Sequence, residues 1–288
     1  MDILITGLLL GGTYALIAMG LNLQYGMARI MNLANGEMLV AGGFAAFWLY
    51  NAGQVSPLLT VFLVAPLAFA LNWLIYRVML LPLVRRAKSR GQLEVDSILA
   101  TFGLSFVAVG LMLMAFGGDY FSYSYLARPV SFLGDTYALN RMVAFLAAVV
   151  ICGALYLWLE RSRAGMSIRA IAVAPESARL VGIDVPRLAA IAFALGGAVT
   201  AAGGALISSF LTLDASTGVV FTLKALIIVI MGGVGDVRGT IVAALLLGVM
   251  ETFVAALIDP GLTLAAAYLL FILILLFRPQ GLFGQRTT

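Results

Sequence analysis

The chain has 288 residues, of which 63% are hydrophobic and 10% charged, with a formal net charge of +4. Soluble domains are about half apolar and about a quarter charged, so this composition, with a mean hydropathy of +1.09, places the chain in lipid as a polytopic membrane protein and excludes a separate folded soluble domain. Without a single histidine, the chain cannot by itself build a Ser-His-Asp triad, a HExxH zinc site or a His-ligated haem.

Each span takes about 20 residues, which leaves room for about eight to ten. Apolar runs between polar punctuation predict nine helices: approximately Ile3 to Tyr25, Glu37 to Tyr50, Pro57 to Leu81, Ser97 to Phe116, Arg141 to Leu159, Leu188 to Leu211, Phe221 to Gly235, Gly239 to Ile258 and Leu262 to Phe277. The expected fold is therefore all-α, a membrane helical bundle forming one transmembrane domain over residues 1–288. Glu37 to Tyr50 and Phe221 to Gly235 are short for a full crossing and predict tilted, broken or re-entrant helices. Met1-Asp2-Ile3 lacks the basic region of a signal peptide, so the first apolar run is expected to be retained. The lone Cys152 lies in an apolar stretch and is expected to be a buried, inert thiol.

Basic residues set the orientation. Arg29, Arg77, Arg85, Arg86, Lys88, Arg90, Arg161, Arg163, Arg169, Arg179, Arg187, Arg238, Arg278 and Arg286 gather on one side, against only Arg128 and Arg141 on the other. The richer side is cytoplasmic by the positive-inside rule, which predicts the N-terminus outside, the C-terminus in the cytoplasm and the connection from Gly117 to Asn140 outside. The basic surplus then marks topology and contact with anionic membrane lipid, and no nucleic-acid partner is expected. Glycines recur at packing intervals, as in Gly7 and Gly11, Gly42 with Ala46, and Gly197 with Ala201, which lets helices approach closely in lipid. A polar start, an apolar run and paired glycines occur both in Gly36 to Gly43 and in Lys224 to Gly233, a faint internal echo.

Ionisable residues inside spans are costly and mark functional candidates. Lys224 and Glu251 are either a buried ion pair that fixes helix register or a border of the solute route that meets the charged ends of a zwitterion. Asn22, Gln24, Asn32 and Asn35, followed by Glu37, cluster at the predicted cytoplasmic end of the first two helices. There they cap helix ends or hydrate a path. Asn72, Thr101 and Ser105 are expected to bond to neighbouring backbone. Tyr120, Phe121, Tyr123 and Tyr125 suit an interfacial belt or a docking surface.

The longest predicted cytoplasmic connection, Glu160 to Arg187, carries its own helix signal. Pro175 suits a first helical position, Glu176 complements the N-terminal dipole and Gly182 can take the left-handed conformation that ends the helix. So short a helix is marginal alone in water and needs a partner surface. Ser177 and Ala178 are small enough to seat in a groove, Leu180 and Val181 supply apolar contact, and Arg169 and Arg179 offer charge pairing.

Glu176-Ser177-Ala178, followed three residues later by Gly182, resembles the EAA-xxx-G loop of ABC importer permeases, with serine at the middle alanine. Other segments resemble one branch of them, the LivH-like branched-chain amino-acid permeases. These are Gly11-Gly12-Thr13-Tyr14-Ala15-Leu16, Tyr25-Gly26, Asn32-Leu33-Ala34-Asn35-Gly36-Glu37, Arg163-Ala164-Gly165-Met166, Leu180-Val181-Gly182-Ile183, Gly232-Gly233-Val234-Gly235 and the ending Arg278-Pro279-Gln280-Gly281-Leu282-Phe283. Asn35 departs from the histidine or glutamine frequent in the family. The resemblance implies a bacterial inner-membrane permease subunit that passes branched-chain or related small amino acids inward without chemical change. It implies as partners a second related permease, two ATPase subunits and an extracytoplasmic solute-binding protein, with Arg169, Glu176, Ser177, Ala178, Arg179, Leu180 and Gly182 meeting the ATPases. Neither Lys88 nor Lys224 follows a glycine, so no Walker A segment occurs. No enzymatic activity or cofactor is expected of the chain, ATP being bound by the partner subunits. Urea or a short amide is the alternative solute, and an autonomous secondary carrier the alternative class.

Overall fold

The computed structural model describes residues 2–132 and 135–284. The chain runs through α1 (Asp2–Asn22), α2 (Asn35–Gly53), α3 (Pro57–Ile75), α4 (Leu81–Arg86) and α5 (Arg90–Phe116), then a hairpin of β1 (Pro129–Phe132) and β2 (Asp135–Ala138). It continues through α6 (Leu139–Arg161), α7 (Arg163–Val173), α8 (Pro175–Leu180), α9 (Val185–Ile207), α10 (Thr217–Gly232), α11 (Val237–Leu257) and α12 (Thr263–Phe277). Wider π-helical turns at Leu23–Met27 and Tyr76–Leu80 extend α1 and α3.

Among the described residues, seven helices are long and apolar enough to cross a membrane, not the nine expected from apolar runs. The difference lies in α2 and α10. Each starts inside the bundle, and their first turns meet there: the Gly36 amide donates to Thr222 Oγ1 (2.8 Å), and a Cβ on Gly36 would collide with the Gly218 carbonyl oxygen. The segment before α2 also turns into the interior, where the Leu33 amide donates to Thr101 Oγ1 in the middle of α5 (3.1 Å).

The helices with the deepest burial are α1 and α9, buried on nearly all sides along much of their lengths, as expected of helices apolar all round. Packing around them is reciprocal: α1 lies on α11 as α9 lies on α3, and α2 borders α9 as α10 borders α1. The α1–α11 pair is antiparallel, since a Cβ on Gly7 would sit 2.5 Å from Val249 Cα and one on Gly11 2.7 Å from Leu245 Cα. The two halves of the chain therefore repeat with opposite sense, an inverted arrangement familiar from transporters, and the echoing glycine segments fall in the corresponding helices α2 and α10.

One end of the bundle gathers Asp2, the hairpin, and the Tyr123–Ser208 hydroxyl pair (2.9 Å). The opposite end gathers the arginine-rich connections: Arg29 donates to the Ala172 carbonyl, Arg238 pairs with Glu160 (2.8 Å), and the Leu282 amide bonds to the Met231 carbonyl (2.7 Å). The hairpin is a small addition, in one connection, to an otherwise all-α bundle. Its two strands pair antiparallel, with Val130 opposite Tyr137, and their β-branched and aromatic residues favour that state.

The Glu160 to Arg187 connection is also more helical than its Pro175 signal suggests. α6 runs on to Arg161, and α7 follows at once, capped by Ser162 Oγ accepting from the Gly165 amide (2.9 Å) and seated through Ile168 and Ile171, both buried. The α8 helix then begins at Pro175 and runs to Leu180, and Gly182 just beyond it takes the left-handed conformation, with φ of +81°, as the sequence predicts.

Candidate functional site

Three features stand out, and the first two join residues distant in sequence. The first joins α1, α10 and α11. The Lys224 ammonium donates to Glu251 Oε2 and to Tyr14 Oη, both at 2.8 Å, and Tyr14 donates to the same carboxylate oxygen at 2.8 Å. Lys224 also sits over the Tyr14 ring, 4.8 Å from its centroid. The lysine and glutamate are thus paired, in line with one of the two sequence readings, but Tyr14 gives no signal of its part because a tyrosine in an apolar run looks like core. Glu251 Oε1 has no hydrogen-bond partner.

The second feature surrounds the start of α2. Thr200 Oγ1 on α9 donates to Asn35 Oδ1 (3.0 Å), while Asn35 Nδ2 has no partner. Ser105 on α5 donates to Glu37 Oε1 (2.6 Å), so its partner is a carboxylate and not the neighbouring backbone. Glu37 is 1% exposed and its Oε2 is unpartnered. The other amides act as ties. Asn22 Oδ1 accepts from the Gly235 amide (2.8 Å) and its Nδ2 donates to the Asp236 carbonyl (3.1 Å), which holds the turn between α10 and α11. Gln24 donates to the Phe193 carbonyl (3.1 Å) and accepts from Asn32 Nδ2 (2.9 Å). These bonds occupy Asn22, Gln24 and Asn32 inside the protein. Thr101 donates to the Ser97 carbonyl (2.7 Å) and Asn72 to the Ala68 carbonyl (2.8 Å), the local backbone bonding expected of them, while Thr101 also accepts from the amide of Leu33, distant in sequence.

The third feature is α8, at the arginine-rich end. Ala178 is buried against the chain itself, so it seats α8 on its own bundle, whereas Leu180 and Val181 are 88% and 74% exposed. Glu176, Ser177 and Arg179 are exposed beside them. Arg169 donates to the Glu160 carbonyl (3.2 Å), tying α7 to the end of α6. At the other end, Phe121 packs edge-on against Phe44 and Phe47 with centroids about 5 Å apart, so it belongs to an internal aromatic cluster, while Tyr120 is exposed.

Long apolar helices around a sparse set of bonded polar groups define a multi-pass membrane protein. The profile of the family described as "Branched-chain amino acid transport system / permease component" matches residues 3–277, and the chain belongs to that family. It is 27% identical to the high-affinity branched-chain amino acid transport system permease protein LivH of Salmonella typhimurium, over 97% of this chain and 94% of that one. It is 28% identical to the permease protein BraD of Pseudomonas aeruginosa, over 98% and 95%, and 22% identical to a probable LivH of Methanocaldococcus jannaschii, over 93% and 88%. Among solved structures, PsaBC from Streptococcus pneumoniae in complex with Fab aligns with 98% of this chain and 92% of that one, at a TM-score of 0.48 and 11% identity.

Proposed function

We propose that this chain is the permease subunit of an ABC importer in the bacterial inner membrane, passing branched-chain or related small amino acids into the cytoplasm. It acts with a second related permease, two ATPase subunits that supply the energy, and an extracytoplasmic solute-binding protein. The N-terminus lies outside, and the arginine-rich end with α7, α8 and the C-terminus faces the cytoplasm. The single observation that carries the reading, beyond family membership, is α8: a short helix whose last residue, Leu180, and the following Val181 are uncovered at the end where the ATPases would bind.

The force then has a continuous route. ATPase closure displaces α8, which is joined to α9 through the Ile183 amide bonded to the Ala178 carbonyl (3.1 Å) and through the short connection that follows. The α9 helix is central and packs on α1, α2 and α3. Its Thr200 holds Asn35 at the start of α2. Movement of α8 thus reaches the point where α2 and α10 meet, and rocks one half of the inverted repeat against the other. Asn35, Glu37, Lys224 and Glu251 are the polar groups this motion would bring to the solute.

The test is uptake of leucine, isoleucine and valine in cells that carry the intact system. A cysteine placed at position 180 should cross-link to an ATPase subunit, and Leu180→Asp should lower uptake at least tenfold at wild-type abundance. Undiminished uptake by Leu180→Asp, with no cross-link, would remove the proposal. Stabilisation of the cognate binding protein by urea or a short amide in place of amino acids would reassign the solute. Flux through this chain reconstituted alone would make it a secondary carrier.

A further inference from the structure

Near the N-terminal end of the bundle, between α1, α11 and the starts of α6 and α12, lies a cavity of about 290 Å³. Its walls include Leu9, Leu10, Phe210 and Leu211, together with two charged side chains, Glu251 and Arg141. We propose that this cavity binds a zwitterionic aliphatic amino acid, its ammonium group on Glu251 and its carboxylate on Arg141. The proposal rests on the amino-acid permease reading and deepens it, by placing a solute site inside this single chain.

Glu251 is 3% exposed, and Lys224 and Tyr14 both engage Oε2, leaving Oε1 without a donor. A buried carboxylate oxygen with no donor is costly, and an ammonium group brings three N–H donors to satisfy it. Arg141 supplies the complementary end. Among the described residues the ion pairs are Lys224–Glu251 and Arg238–Glu160, so Arg141, which lines the cavity, pairs with no described carboxylate, and its guanidinium lies over the Phe210 ring at 5.9 Å. Its planar fork suits a carboxylate in bidentate fashion.

The two charges border one cavity without pairing with each other, so the space between them is open to a molecule that carries both opposite charges. The apolar walls suit an aliphatic side chain, and the volume sits at the lower end of small-molecule sites, which begin near about 300 Å³. Lys224, Glu251 and Arg141 together carry one net positive charge, which disfavours a simple amine. A simple carboxylic acid would leave Glu251 Oε1 unsatisfied. A zwitterion meets both demands, and each copy of this chain would hold one molecule.

The experiment uses the assembled transporter in nanodiscs without its binding protein, and labelled L-leucine as the probe. Saturable binding is expected at one leucine per copy of this chain, with 3-methylbutylamine and 4-methylpentanoate, which each keep one charged end, binding at least tenfold more weakly. Arg141→Gln, at an exposed position, should weaken leucine at least tenfold without changing the melting temperature. Ala255→Phe, which fills the cavity from a wall that carries no charge, should abolish binding. Leucine binding at wild-type strength in both variants, or no binding to the wild-type assembly, overturns the site. Leucine uptake by the wild-type system, measured separately with the binding protein present, reads the permease function itself, so failure of that reading is told apart from failure of the site.

Discussion

Tyr14 and Glu251 stand 237 positions apart in the sequence, yet the phenol donates a 2.8 Å hydrogen bond to the carboxylate inside the bundle. Lys224 completes the triangle, so that α1, α10 and α11 are tied by one ionic and two further polar contacts. Breaking such a pair by removing one partner leaves a buried charge uncompensated, at a cost of about 3–5 kcal/mol, whereas replacing both by apolar groups can be neutral.

Lys224→Met alone should therefore lower the melting temperature and the abundance of the protein, by an amount corresponding to about 3–5 kcal/mol. Lys224→Met combined with Glu251→Leu should recover most of that loss. Thermal melting of both variants in detergent checks the pair, and a double variant as unstable as the single would show that the contact is not what couples these helices. Uptake by the recovered double variant separates the two sequence readings: full uptake makes the pair a register device, lost uptake makes it part of the route.

The triangle also shows where the sequence stops being informative. Lys224 and Glu251 are legible because charges inside apolar runs are conspicuous, and α8 is legible because Pro175 and Gly182 punctuate it locally. Tyr14, Ser105 and Arg141 carry no such local mark. Their roles come from α1 lying on α11, from α5 lying against the start of α2, and from the cavity beside α6, none of which has a period to read. The count of nine takes in two apolar runs, Glu37 to Tyr50 and Phe221 to Gly235, whose shortness already sets them apart from full crossings. What has no local mark is that they begin where Gly36 meets Gly218, a tertiary fact. The hairpin from Pro129 to Ala138 escapes because apolar runs, and not alternation in loops, guide the expectation.

Gly36→Ala tests that contact. The added Cβ would lie against the Gly218 carbonyl and 2.5 Å from Thr222 Oγ1, backbone and buried hydroxyl that have little room to yield. The expected loss is about 1–3 kcal/mol, typical of overpacking, seen as a lower melting temperature. Gly153→Ala in α6 is the control. A Cβ there meets nothing within 4 Å, so the helix should be unchanged or stabilised by up to about 1 kcal/mol. Equal effects at the two positions would mean that the starts of α2 and α10 do not meet as described.

Asn22→Leu probes the turn between α10 and α11. It removes an acceptor from the Gly235 amide and a donor to the Asp236 carbonyl, leaving part-buried backbone groups unsatisfied at a cost of about 1–3 kcal/mol each. Amide exchange at Gly235 should accelerate in the variant, along with a drop in melting temperature. Exchange at wild-type rate would assign the turn's order to the Gly233 and Gly235 backbone alone.

The strongest separation between folding and coupling comes at Gly182. Its φ of +81° ends α8, with the Gly182 amide on the Arg179 carbonyl and the Ile183 amide on the Ala178 carbonyl, both at 3.1 Å. A β-branched residue in that conformation costs about 1–3 kcal/mol, and a Cβ at this position would meet no neighbouring atom within 4 Å, so the strain is purely backbone. Asparagine tolerates the left-handed region far better than valine. Gly182→Val should therefore fray the end of α8 and lower solute uptake several-fold, while the spans, which do not depend on this turn, keep wild-type abundance and melting. Gly182→Asn should retain most of the uptake. Because both variants add a side chain in open space, the difference between them reports on the geometry of the turn and not on its bulk. Equal uptake in the two, at normal abundance, would mean that α8 transmits nothing to α9, and the route of force from the arginine-rich end to the start of α2 would have to be abandoned.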